Sequence, residues 1–179
     1  MIEIIDNFLE KSDLENLQSM FIDQNFPWSY NKEIVYEGEP VDDYTTQYFS
    51  HTFYDPVLQA PISNYYQHIT PILSKLDPFS IFSVRANLMT RTLTHEEMEL
   101  HIDLNSFHHD LEKIKNWRTS IFYVNSNDGY TFFEDGSKVK CVENRMLIFS
   151  SDTKHSGASC TNEKARIVIN FNYFPMSRK

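Results

Sequence analysis

Residues 119–150 read TSIFYVNSNDGYTFFEDGSKVKCVENRMLIFS. Four runs rich in β-branched and aromatic residues stand out: Thr119 to Asn125, Tyr130 to Glu134, Val139 to Val142 and Arg145 to Ser150. Polar breaks separate them, which is the texture of short strands joined by turns. Asp128-Gly129 and Asp135-Gly136 are turn signals, and the second sits between two strand-like runs as a tight hairpin requires.

Working outward, the same texture covers Ile81 to Arg91 and Leu100 to Leu104 upstream, and Ala165 to Phe174 downstream. Before Phe79 the pattern differs. Ser12 and Asp13 precede Leu14, Leu17, Met20 and Phe21, a spacing that predicts a short helix behind an N-cap. A second helical region is expected from about Asp55 to Leu76, kinked at Pro61 and Pro71, because a mid-helix proline removes a backbone donor. No repeat, low-complexity tract or Pro/Gly-rich linker divides the chain. The expectation is a mainly β, α+β protein in which two helices pack on an antiparallel sandwich or barrel. Residues 1–179 form one domain in this reading, with 1–78 as helical support and leading strands and 79–175 as the β core.

The chain carries 25 acidic against 16 basic residues, a net charge of -9, so its overall field repels phosphate backbones and anionic membranes. Nucleic acid is therefore disfavoured as a partner. Cys141 and Cys160 are too few for a disulfide framework and lack CxxC spacing, which suits a reduced interior such as the cytoplasm. The start, MIEIIDNFLEKSD, has neither a basic segment nor an apolar run of the secretion type, and no stretch approaches the roughly 18 apolar residues of a membrane span.

His101 and Asp103 are two apart in a strand-like run, so both side chains leave one face about 6.5 Å apart along the chain. Two imidazoles and a carboxylate on one face suit a divalent metal and leave coordination positions open, so a third ligand is required. Among the seven histidines, His51 and His68 read as surface or hydrogen-bonded core residues. His95-Glu96 lacks the second histidine of a zinc-protease motif, since Glu99 stands in its place. His108 and His109 lie in a polar stretch, 105–115, read as a loop with substrate contact open. His155 follows the Arg145–Ser150 run and opens a Ser/Gly-rich segment where a turn can aim it back at the sheet. Arg166, eleven residues later, begins an apolar strand. A buried arginine there needs an anionic partner, and its rigid fork suits a carboxylate, whereas an exposed arginine paired with a surface glutamate is the bland alternative.

With His101-Ile102-Asp103, His155 and Arg166 at these distances, the chain resembles the 2-oxoglutarate/Fe(II) oxygenases, in particular their prolyl 4-hydroxylase-like branch and its small members from bacterial viruses and marine bacteria. Thr119 to Asn125, Tyr130 to Phe133 and Asn144 to Phe149 look like successive core strands of that family, and the likeness spans about residues 80–175.

The resemblance implies a double-stranded β-helix, or jelly roll, flanked by helices. It implies Fe(II) held by His101, Asp103 and His155, with 2-oxoglutarate and O2 as cosubstrates and Arg166 on the distal carboxylate. The strand Arg85 to Arg91 lacks the tyrosine that family members often offer the cosubstrate. Asn87 and Tyr123 are the candidate replacements, and Asn170 and Asn172 share the face of Arg166. Retention of Asp103 favours hydroxylation over halogenation, with succinate and CO2 released. Asn172 stands where nucleic-acid demethylases of the family carry a second arginine. A prolyl or other peptidyl side chain is the substrate that the branch suggests, with a free amino acid or small metabolite also open. The setting implied is the cytoplasm of a bacterium or of a virus-infected host cell. A non-catalytic cupin-like metal- or ligand-binding module, or a virion-associated interaction module, is the alternative; oligomeric state is left open.

Overall fold

Side chains on the strand Ala165–Pro175 alternate between two interiors, because successive residues of a strand point to opposite faces. Ile167, Ile169, Phe171 and Tyr173 pack with the helices, whereas Val168 joins a second cluster on the other face with Ile121, Tyr123, Phe133, Leu147 and Phe149. The molecule is therefore layered as helices, large sheet, small sheet. The computed structural model describes residues 2–31, 48–104 and 114–176.

Within these residues the strands are β1 (Glu3–Ile5), β2 (Ser29–Asn31), β3 (Tyr48–Asp55), β4 (Ala60–Pro61), β5 (Pro78–Thr90), β6 (Arg118–Tyr123), β7 (Tyr130–Phe133), β8 (Lys138–Lys140), β9 (Arg145–Ser150), β10 (His155–Gly157) and β11 (Ala165–Pro175). The helices are α1 (Lys11–Ile22) and α2 (Thr70–Leu76), the latter entered through a 3-10 turn at Tyr66–Ile69. The large sheet runs β1-β9-β6-β11-β5-β3-β2 and the small one β10-β7-β8, with every pairing antiparallel. An irregular segment completes the small sheet beside β10 through bridges Glu97 to Ala158 and His101 to His155. From β5 on, successive strands visit large, small, large, small, small, large, small and large sheet. That alternation is a double-stranded β-helix, the expected jelly roll.

The Asp135-Gly136 turn joins β7 to β8 as expected, with Gly136 at φ 81° in the left-handed region that glycine tolerates. Three expectations need correction. First, α1 begins at Lys11, so Ser12 and Asp13 lie inside its first turn and are not its cap. Second, the helix expected over 55–76 is confined to its end: β3 finishes at Asp55, Pro61 lies in β4, and Pro71 occupies the first turn of α2, where its missing donor costs nothing. Third, Leu100 to Leu104 is no regular strand; only His101 bridges β10, after which Ile102 and Leu104 turn into a small cluster with Ile114.

Candidate metal centre

The irregular segment carrying His101 is held on both sides. On one side His101 N donates to His155 O at 3.0 Å and His155 N to His101 O at 3.1 Å, with Met98 N to Gly157 O further along. On the other, Glu97 accepts from the Tyr130 hydroxyl at 2.6 Å and from Lys138 Nζ at 2.7 Å. Alternation then sends Ile102 and Leu104 into their cluster and leaves His101 and Asp103 on the opposite side.

His101, Asp103 and His155 come together there, with their ligand atoms within 4.8 Å of one another. His101 Nε2 lies 3.4 Å and His155 Nε2 3.8 Å from Asp103 Oδ1. Each ring directs Nδ1 at a backbone carbonyl, Glu99 O at 2.9 Å for His101 and Thr153 O at 3.1 Å for His155. Such a bond fixes the tautomer and turns Nε2 of each ring toward Asp103, the nitrogen that could ligate a metal. Among the described residues His155 Nε2 is buried without a hydrogen-bond partner, as suits a nitrogen able to ligate a metal ion. Burial holds the His155 pKa below its ordinary value. For His101 burial also lowers it, but the hydrogen bond and charge of Asp103 outweigh this and raise it. Burial opposes ionisation of Asp103 as well, yet His101, His155 and the Asn172 amide hold it well below the carboxylate range.

Behind the carboxylate, Asn172 Nδ2 donates to Asp103 Oδ2 at 3.1 Å, and Asn172 Oδ1 accepts from Thr119 Oγ1 at 2.8 Å. Asn172 thus orients Asp103, a role no local sequence signal marks because it depends on how β11 lies across from residue 103.

A cavity of about 270 Å³ opens beside the three side chains and is walled by β5, β11, β10 and β7. Arg166 reaches into it from β11, between β6 and β5, with only 3% of its surface exposed. The exposed-edge alternative for this residue is excluded. Its guanidinium meets Thr131 Oγ1 at 3.2 Å, Cys141 Sγ at 3.1 Å and Met89 Sδ at 3.9 Å, and among the described residues no carboxylate pairs with it. Two glycines make room: a Cβ on Gly129 would stand 3.0 Å from Arg166 Cδ, and one on Gly157 would stand 3.2 Å from its NH1. Thr131 accepts from both Arg166 and the Tyr123 hydroxyl, so the one proton of its hydroxyl is left for a further acceptor.

Asn87, Asn170 and Asn172 line the cavity, but Tyr123 does not. It is fully buried between the sheets with its hydroxyl on Thr131 at 2.8 Å, one residue removed from any ligand. Thr131, which accepts from it, lines the cavity in front of it. His51 is a hydrogen-bonded core residue, between Pro27 O and Ser63 Oγ. His108 and His109, with most of the 105–115 loop, lie outside the described residues.

No family model matches this sequence, and no curated protein matches it. Solved structures do. A prolyl hydroxylase from Trichoplax adhaerens, in complex with a peptide fragment of the hypoxia inducible factor oxygen degradation domain, superposes with a TM-score of 0.59 at 14% identity, over 97% of this chain and 83% of that one. An oxidoreductase of the 2OG-Fe(II) oxygenase family from Burkholderia pseudomallei gives 0.65 at 9% identity, over 96% and 84%. HygX from Streptomyces hygroscopicus, with nickel and 2-oxoglutarate bound, gives 0.60 at 12% identity, over 98% and 83%. The fold is that of the 2-oxoglutarate/Fe(II) oxygenases. In this oxygenase fold the likeness resides in the path of the backbone, and the reading of the site rests on the side chains described above.

Proposed function

We propose that the protein is an Fe(II)- and 2-oxoglutarate-dependent dioxygenase that hydroxylates its substrate and releases succinate and CO2. The observation that carries this is Arg166: a buried cation with no anionic partner among the described residues, in the same cavity as a His-Asp-His cluster with an orphaned imidazole nitrogen. An unpaired buried charge is costly, and a carboxylate removes that cost. Zinc-type structural sites close with four protein ligands, whereas three ligands of this kind leave room for a chelating cosubstrate and O2.

In this reading His101, Asp103 and His155 hold the iron, and their backbone and Asn172 contacts keep them aimed. Arg166 would hold the distal carboxylate of 2-oxoglutarate, and the Thr131 proton would supply a further hydrogen bond. Asn87 lies on the cavity wall for a carboxylate contact. Iron with 2-oxoglutarate and O2 supplies the oxidising power; the protein supplies orientation and a cavity shielded by Met89, Ile121 and Val168. A side chain of a peptide, the Trichoplax neighbour being in complex with a peptide fragment, and a free small molecule are the two candidate substrates. Buried free Cys141 and Cys160 suit the reducing cytoplasm. No helix among the described residues is long and apolar enough to cross a membrane.

The test is Fe(II)-dependent conversion of 2-oxoglutarate to succinate by wild type and His155→Ala. Wild type is expected to turn over and the variant to lose turnover with iron. Absence of succinate from wild type with every substrate offered defeats the proposal, and equal turnover by the variant defeats the ligand assignment.

A further inference from the structure

Arg85 is a second cation on the cavity wall, exposed to solvent where Arg166 is buried, and the metal and cosubstrate reading leaves it unused. It lies on β5 opposite Asn170, while Arg166 lies opposite Met89. Four residues of strand, about 13 Å, separate the two levels, too far for both arginines to be needed by one carboxylate. Among the described residues no carboxylate pairs with Arg85, and Asp103 is the only acidic side chain among those lining the cavity.

The charge balance makes this significant. With a divalent ion seated, the charged side chains among the described lining residues, two arginines and one aspartate, would leave three positive charges. Doubly negative 2-oxoglutarate cancels two, and the one remaining is at Arg85. The excess is local, since the chain as a whole carries -9. Beside Arg85, the amides of Asn87 and Asn170 each bury Oδ1 without a partner, so Nδ2 is their accessible end and adds N–H donors on the same wall. A guanidinium flanked by amide donors is a carboxylate-binding arrangement.

We infer that the substrate presents a carboxylate, bound by Arg85 with a donor from Asn170, its partner across the strand pair. The inference rests on the oxygenase reading for what occupies the rest of the cavity. Two sources share this chemistry, the α-carboxylate of a free amino acid or similar small acid and the acidic side chain of a peptide.

The test uses the full chain loaded with Ni(II) and saturating 2-oxoglutarate, so that nothing turns over, and ligand-observed NMR. The probes are the free L-amino acids, their methyl esters, and N-acetylated, C-amidated peptides containing Asp or Glu. At least one carboxylate is expected to bind, with its neutral ester weaker by about tenfold or more. Arg85→Gln is expected to lose the same factor and Arg85→Lys to recover part of it, while 2-oxoglutarate affinity stays within about twofold in both. Preference for free acids or for acidic peptides assigns the source. Equal binding of esters, binding of no carboxylate, or weakening of 2-oxoglutarate in place of the probe by Arg85→Gln overturns the inference. Failure of 2-oxoglutarate to bind Ni(II)-loaded wild type is a separate result that defeats the oxygenase reading, and the probe arm still reads Arg85.

Discussion

Arg166 is held at a cost to the ligand-free protein, because sulfur atoms and one hydroxyl are poor compensation for a buried guanidinium. Arg166→Met, which keeps the length of the side chain without its charge, is therefore expected to stabilise the ligand-free protein by about 1 kcal/mol, roughly 2–4 °C in Tm. The same variant loses the further stabilisation by 2-oxoglutarate while still binding Ni(II) or Fe(II), read by thermal unfolding with and without each ligand. A lower Tm with loss of metal would make the arginine structural. Gly157→Ala tests the space around that guanidinium: a methyl 3.2 Å from NH1 and 3.4 Å from NH2 crowds the fork. The half-saturating concentration of 2-oxoglutarate should rise several-fold with metal affinity kept. At this scale the sequence was informative about residue types and silent about neighbours. His101, Asp103, His155 and Arg166 stand out by spacing, whereas Arg85, Thr131 and Asn172 gain their significance only from what faces them across the cavity.

Among elements, β9 shows how a corner sets the frame for the site. Asn144 precedes it at φ 59°, and its amide bridges both Leu9 N at 2.8 Å and Leu9 O at 2.9 Å, tying the segment between β1 and α1 to the start of β9. Asn144→Ala loses two buried hydrogen bonds and places an alanine in the left-handed region, a combined cost of about 2–4 kcal/mol. Asn144→Gly keeps the backbone freedom and should be less damaging. Urea unfolding of the two variants orders them; an alanine variant as stable as wild type would remove this corner from the account. The strands β5, β6, β7, β9 and β11 were legible because each is a run of β-branched and aromatic residues bounded by turn signals. β3 was not, because its run YFSHTFYD has no turn signal at its start and its pairing of Phe49 to Tyr54 is with distant β5. β10, with the three residues His155–Gly157, is too short and too polar to show a period, and only its pairing with β7 makes it a strand.

For the whole molecule, metal and 2-oxoglutarate would tie β11 of the large sheet to β10 and the 97–103 segment of the small one. Any ligand bound only by the folded state stabilises it, by about 2.7 kcal/mol at one hundred times its Kd. The pH dependence follows from His101. Its pKa is raised in the ligand-free fold, so the stability it contributes is present below its unfolded value near 6.5 and is lost as pH rises through the folded one. Metal binding requires that proton to leave and so strengthens over the same interval. The Tm difference between Ni(II)-loaded and EDTA-treated protein is therefore expected to widen from pH 5.5 to pH 8. A constant or narrowing difference would mean that His101 is not a ligand.

By itself the sequence determined the layered, mainly β architecture and the short set of residues able to bind a metal and a carboxylate. Those follow from local properties: side-chain period, turn chemistry and the donor types available. Only the tertiary structure decided that β11 lies between β5 and β6, which buries Arg166 with no anion among the described residues, sends Tyr123 away from the cavity, and puts Asn172 behind Asp103 and Arg85 beside Asn170. Strand order and register are set by how whole faces bury against each other, and a one-residue slip would reverse every one of these directions.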